Sequence, residues 1–144
     1  MESRIDIQKT EPAAYQAMYA LEKYLASSAL KPIHKELIKL RASQINGCAF
    51  CLNMHSVDAR KLGETEQRIY LLNAWRETNL FNEEEKAILA LTEEVTLITN
   101  HVSDKTYEKA ASLFDANYLA QIIIAIVTIN AWNRIAITSR TMVG

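Results

Sequence analysis

The chain is predicted to be all-α, with about six to seven helices in one domain spanning residues 1–144, and three observations carry that prediction. Turn residues are scarce: three glycines and two prolines are too few for a β-rich fold with its many tight turns. Those five residues fall where helices would start or stop on other grounds. Between them, apolar residues recur at helical spacing. The length of 144 residues suits one domain with a core of its own. No repeat, low-complexity tract or linker divides it.

Residues 1–10 read as extended, with Ile5 and Ile7 alternating against polar neighbours. Glu11-Pro12 opens a first helix to about Ser28, with Tyr15, Met18, Leu21, Tyr24 and Leu25 as its stripe. Pro32 opens a second that ends near Asn46-Gly47. Its stripe is Ile33, Leu37 and Leu40, and Glu36 lies at the stripe's edge. The third runs from Cys48 to Leu62 and stops at Gly63. Thr65 caps a short fourth with Ile69, Leu71 and Leu72, and Trp75 follows in a polar loop. Asn82 begins the fifth, with Glu85 at the capping-box position and Ala87, Ile88, Leu91, Val95 and Ile98 as its stripe. His101 sits just past its end, where a cation suits the helix dipole. Ser103 caps a sixth through Ala110, Leu113 and Phe114. The last element, from Asn117 to about Arg140, contains IIIAIVTI, which reads as a strand by residue type. Its unbroken length and the lack of a partner strand make it a buried helix.

Composition excludes several classes of function. The net charge of −1 and well-mixed charges give no footprint for nucleic acid or an anionic membrane. The apolar run from Tyr118 to Ile129 is shorter than the about 20 residues that span a bilayer. The N-terminus has no signal-peptide core, so a cytoplasmic location is expected. In that compartment, paired cysteines cycle between dithiol and disulfide more often than they act as a permanent staple.

The chemistry is concentrated in one stretch, ELIKLRASQINGCAFCLNMH, from Glu36 to His55. It holds both cysteines of the chain, Cys48 and Cys51. On a helix turning about 100° per residue, Cys48, Cys51 and His55 share a face at i,i+3 and i,i+4 spacing. A turn at Asn46-Gly47 puts Cys48 near the helix start, where unpaired N–H groups favour a thiolate and where it should be the more exposed cysteine. Histidine can take a cysteine's proton. A carboxylate beside an apolar stripe needs a partner, and His55 across the hairpin is the candidate for Glu36. Phe50, Met54 and Val57 form a second apolar face. Structural zinc takes four ligands, and beyond the two cysteines only His55 and at most Glu36 are at hand locally, so neither metal nor cofactor is expected. Trp132 and Arg134 lie within possible reach of the thiols, with packing the simpler role.

The pattern E-x11-C-x-x-C-x-x-x-H resembles the alkylhydroperoxidase AhpD-like proteins of the carboxymuconolactone decarboxylase superfamily. The likeness is strongest over Leu37–Leu62 and extends to NAWNR at Asn130–Arg134. It implies an AhpD-like helical domain with the CxxC at the start of a central helix, and thiol-dependent reduction of hydroperoxides. Cys48, Cys51, His55 and Glu36 would be the catalytic set. It also implies a dithiol or lipoyl-type protein reductant and homo-oligomers, as dimer, trimer or hexamer. The best-known peroxidase members carry a histidine next to the second cysteine; Phe50 stands there in this chain, which shortens the proton relay. Two alternatives are a non-redox decarboxylase-type enzyme of the same superfamily and a redox-sensing oligomer without turnover.

Overall fold

The structure is a computed structural model that describes Met1–Gly144, and it contains helices and no strands. Eight α-helices are present: α1 (Ile7–Thr10), α2 (Pro12–Ser27), α3 (Pro32–Asn46), α4 (Ala49–Lys61), α5 (Glu66–Tyr70), α6 (Glu83–Thr96), α7 (Asp104–Leu113) and α8 (Ala116–Ser139). Short 3-10 turns, Leu72–Glu77 and Ile98–Asn100, follow α5 and α6.

The count exceeds the expected six to seven because of short pieces. Residues 1–10 are not wholly extended: Asp6 caps α1 by accepting from the Lys9 N–H at 3.0 Å, and the Thr10 hydroxyl donates to the Asp6 carbonyl at 2.8 Å. Trp75 is not in a polar loop. It sits with Leu72 on the buried side of a 3-10 turn, and its indole Nε1–H donates to Glu93 Oε1 at 2.8 Å. A buried indole needs such a partner, and α6 supplies it.

Most helix boundaries follow local signals. Prolines open α2 and α3. Thr65, Asn82, Ser103 and Asp115 cap α5, α6, α7 and α8 by accepting backbone N–H bonds. Asn82 and Glu85 cap each other reciprocally. The β-branched run is one continuous helix of 24 residues, long and apolar enough by composition to cross a membrane. Here Leu119, Ile122, Ala125, Ile126 and Ile129 instead form the main core with Leu25, Ile38, Ile88 and Leu91.

The central element is α3, which packs against α4, α6 and α8. Its Ile38 and Ala42 face the main core, while Leu37 and Leu40 face a second cluster with Ala59, Leu72, Trp75, Phe81 and Leu89. Both flanks of α3 are therefore covered, which is why Glu36 is buried. The second face of α4 is less covered: Phe50 packs on the core, but Met54 and Val57 are 43% and 48% exposed.

Candidate active site

The site starts at a backbone turn. Gly47 ends α3 at φ 70°, in the left-handed region that a Cβ disfavours. The Gly47 and Cys48 N–H groups both donate to the Ser43 carbonyl, the latter at 3.0 Å. The chain reverses there, so α4 packs back along α3. Cys48 is the N-cap of α4, and its Sγ accepts from the Cys51 N–H at 3.3 Å. Cys48 and Cys51 are joined as a disulfide, with Cα atoms 5.3 Å apart.

One expectation is overturned here. Cys48, expected to be the more exposed thiol, is 1% exposed against 4% for Cys51. Gly47 and Ala49 on either side are exposed, but the Cys48 side chain turns inward and joins the main core cluster, so proximity to a helix end does not by itself expose a side chain.

His55 follows Cys51 by one turn of α4. Its Nδ1 lies 3.2 Å from Glu36 Oε2, and both residues are 8% exposed. An ionised carboxylate only accepts, so in the neutral ring Nδ1 carries the proton and Nε2 is the free acceptor. Asp58 was not singled out in the sequence. Its Oδ2 is 4.0 Å from the same Nδ1, and the i,i+3 spacing on α4 was the available signal. Glu36, His55 and Asp58 each present one metal-ligating atom, all within 4.8 Å of one another, although Nδ1 is already engaged by Glu36. A cleft of about 350 Å³ opens over Glu36 and Asp58, with Glu22, Lys35, Lys39 and Lys61 on its walls. It gives the carboxylates access to water and does not reach the cysteines.

Trp132 and Arg134 are engaged elsewhere. The Trp132 Nε1–H donates to Glu22 Oε1 at 3.0 Å, and its ring packs edge-on against Tyr15. Arg134 Nη1 donates to the Asn130 carbonyl and Oδ1 at 3.1 and 3.0 Å. Sequence reasoning noted Asn46 only as a turn residue and Asn130–Arg134 only for the family resemblance; it did not foresee that Ser43, Asn46, Asn130 and Asn133 meet in a partly buried amide network between α3 and α8.

The sequence profile of the carboxymuconolactone decarboxylase family matches residues 12–94. The chain belongs to this family. The uncharacterized protein YdfG of Bacillus subtilis is 44% identical over 138 residues, covering 95% of this chain and 94% of that one. A crystal structure from Agrobacterium tumefaciens, of a protein of unknown function provisionally described as antioxidant defence protein AhpD, matches at a TM-score of 0.96 and 41% identity over 99% of both chains. The debrominase Bmp8 shares the fold at a TM-score of 0.85 and 18% identity, over 95% of this chain and 74% of that one. The fold of this family member is thus AhpD-like, and the same fold also hosts chemistry other than peroxide reduction.

Proposed function

We propose that the protein is a thiol-dependent peroxidase that reduces hydroperoxides through a Cys48/Cys51 dithiol–disulfide cycle. The observation that carries this reading is the buried His55–Glu36 contact one helical turn from the cysteine pair. It supplies the base and orienter of an activated-thiol enzyme, with Cys51 as the nucleophile one turn before His55 on the same helix. His55 Nε2 takes the proton of Cys51, and Glu36 holds the ring and stabilises its cationic form. The Cys51 thiolate attacks the distal peroxide oxygen: an S–O bond forms, the O–O bond breaks, and the leaving alkoxide takes a proton from His55 to depart as an alcohol. Cys51 is now a sulfenic acid. Cys48 attacks that sulfur, closes the disulfide and releases water. An external dithiol, of lipoyl or similar type, restores both thiols by exchange.

Each residue's position bears on its part. Cys48 at the N-cap of α4 has the backbone donors that favour a thiolate during exchange. Asp58 and Glu36 border the solvent cleft, which gives the relay a route for protons. With Phe50 beside Cys51, the relay ends at His55. Both cysteines are nearly covered, so the first turn of α4 opens when a bulky reductant reacts. The uncovered Met54–Val57 face supports a homo-oligomer, and the expected setting is the cytoplasm.

Retention of both cysteines argues against the decarboxylase-type alternative, which needs no such pair. Turnover of several hydroperoxides with several dithiols, compared among wild type, Cys48→Ser and Cys51→Ser, tests the proposal. Peroxide consumption that needs both cysteines supports it. Thiols that oxidise without turnover would favour a sensor, and activity that survives both substitutions would favour non-thiol chemistry.

A further inference from the structure

The NAWNR segment on α8 has no part in the relay, yet its two amides, Asn133 buried and Asn130 half-buried, bond the turn that launches Cys48. Asn46, the last residue of α3, donates through Nδ2 to Asn130 Oδ1 and to Asn133 Oδ1, each at 2.9 Å. Asn133 Nδ2 donates to Ser43 Oγ at 3.0 Å, and both of these residues are 0% exposed. Asn130 Nδ2 donates to Thr96 Oγ1 at 3.0 Å and to the Ile126 carbonyl at 2.9 Å. Both protons of the Asn46 amide are used, so its orientation is forced. The network ties α6 and α8 to Ser43 and Asn46 in the last turn of α3, and Ser43 also carries the carbonyl that receives the Cys48 turn. That carbonyl accepts the Cys48 N–H at 3.0 Å.

We propose that Asn46, Asn133 and Ser43 are positioning residues that hold Cys48 against Cys51 and thereby set the redox poise of the pair; this rests on the thiol cycle proposed above. Apolar side chains of similar shape would fill the same space. A fully paired amide network adds a unique register between α3 and α8. Register matters at this point because Cys48 belongs to the turn, not to the body of α4. Two thiols held face to face close a disulfide with a high effective concentration. Loosening the turn lowers that concentration and makes the disulfide easier to reduce.

The test is the equilibrium of the intact protein with dithiothreitol and its oxidised form, in which the Cys48–Cys51 bond breaks as the dithiothreitol ring disulfide forms. Asn46→Asp keeps the shape and removes the donor. Ser43→Ala removes only one acceptor, and serves if Asn46→Asp does not fold. Each is expected to lower the equilibrium constant for disulfide formation by about tenfold, or about 30 mV in potential. Leu72→Ala, in the second core cluster, is the control: it lowers the melting temperature and leaves the equilibrium within twofold of wild type. Unshifted equilibria in folded Asn46→Asp and Ser43→Ala, or an equal shift in Leu72→Ala, would overturn the positioning role while leaving the thiol cycle standing. A wild-type pair that does not reduce and reoxidise defeats the thiol cycle, and the positioning role with it.

Discussion

Removing the imidazole of His55 and the charge of Glu36, singly and together, isolates the relay. The two groups are 3.2 Å apart and 8% exposed, so water screens their interaction little. His55→Ala leaves Cys51 without its acceptor, and general-base help is worth about 10²–10⁴-fold, or about 3–5 kcal/mol of barrier. Glu36→Gln keeps an oxygen that accepts from Nδ1 and loses only the charge. A hydrogen bond to a charged group contributes about 1 kcal/mol more than a neutral one, so the expected loss is about five- to tenfold. The double variant should be no slower than His55→Ala, because Glu36 acts through the ring that is no longer there. The assay is the rate of thiol alkylation in the reduced protein as a function of pH, with circular dichroism confirming the fold. Superimposed profiles for all four proteins would refute the relay. Multiplying losses in the double variant would show that Glu36 acts on the thiols independently of His55.

Acid should weaken the fold through Glu85 and Glu93. Burial pushes both carboxyls up, but hydrogen bonds from Arg68 to Glu85, and from Arg76, Trp75 and Arg41 to Glu93, hold them below the ordinary value of 4.5. Their folded values lie below the unfolded one, so their stabilisation is complete above about pH 4.5 and is lost as pH falls through the folded values. Urea midpoints from pH 7 to 3 should fall more steeply in wild type than in Glu93→Gln. Gly47→Ala should cost about 1–2 kcal/mol from the backbone alone, because φ is 70° and nothing lies within 4 Å of an added Cβ; an unchanged urea midpoint would count against the left-handed turn. Sedimentation should show an assembly larger than the 16.3 kDa chain, because Met54 and Val57 on α4 and Val127 on α8 are 43%, 48% and 49% exposed. Val57→Glu should shift it toward the monomer, and a wild-type monomer at micromolar concentration would refute the surface's role.

Helix caps were legible because they are local. Pro12, Pro32, Asn82 with Glu85, and Ser103 act within one turn of where they stand, so spacing alone reveals them. The Cys48–Cys51 adjacency is equally short-range. The Glu36–His55 contact spans 19 residues, yet it too follows from local facts: two helices, a glycine turn between them, and a carboxylate on the apolar edge. Short elements were less visible. One turn at Ile7–Thr10 and the 3-10 turn around Trp75 have no period to detect, and the second depends on Glu93 in a helix that begins later in the chain.

The sequence by itself determined the all-α class, the main helix boundaries and the residue types of a thiol site. These follow from caps, breakers and periodicity, which act over a few residues. The tertiary structure decided what lies over and beneath that site. It buried Cys48 in the core shared with α8 when local reasoning had it exposed, turned Trp132 to Glu22 across 110 residues, and joined Asn46 to Asn130 and Asn133 across separations of 84 and 87 residues. Burial and hydrogen-bond pairing over such distances depend on how whole helices pack, and no spacing within one helix encodes which other helix will cover it.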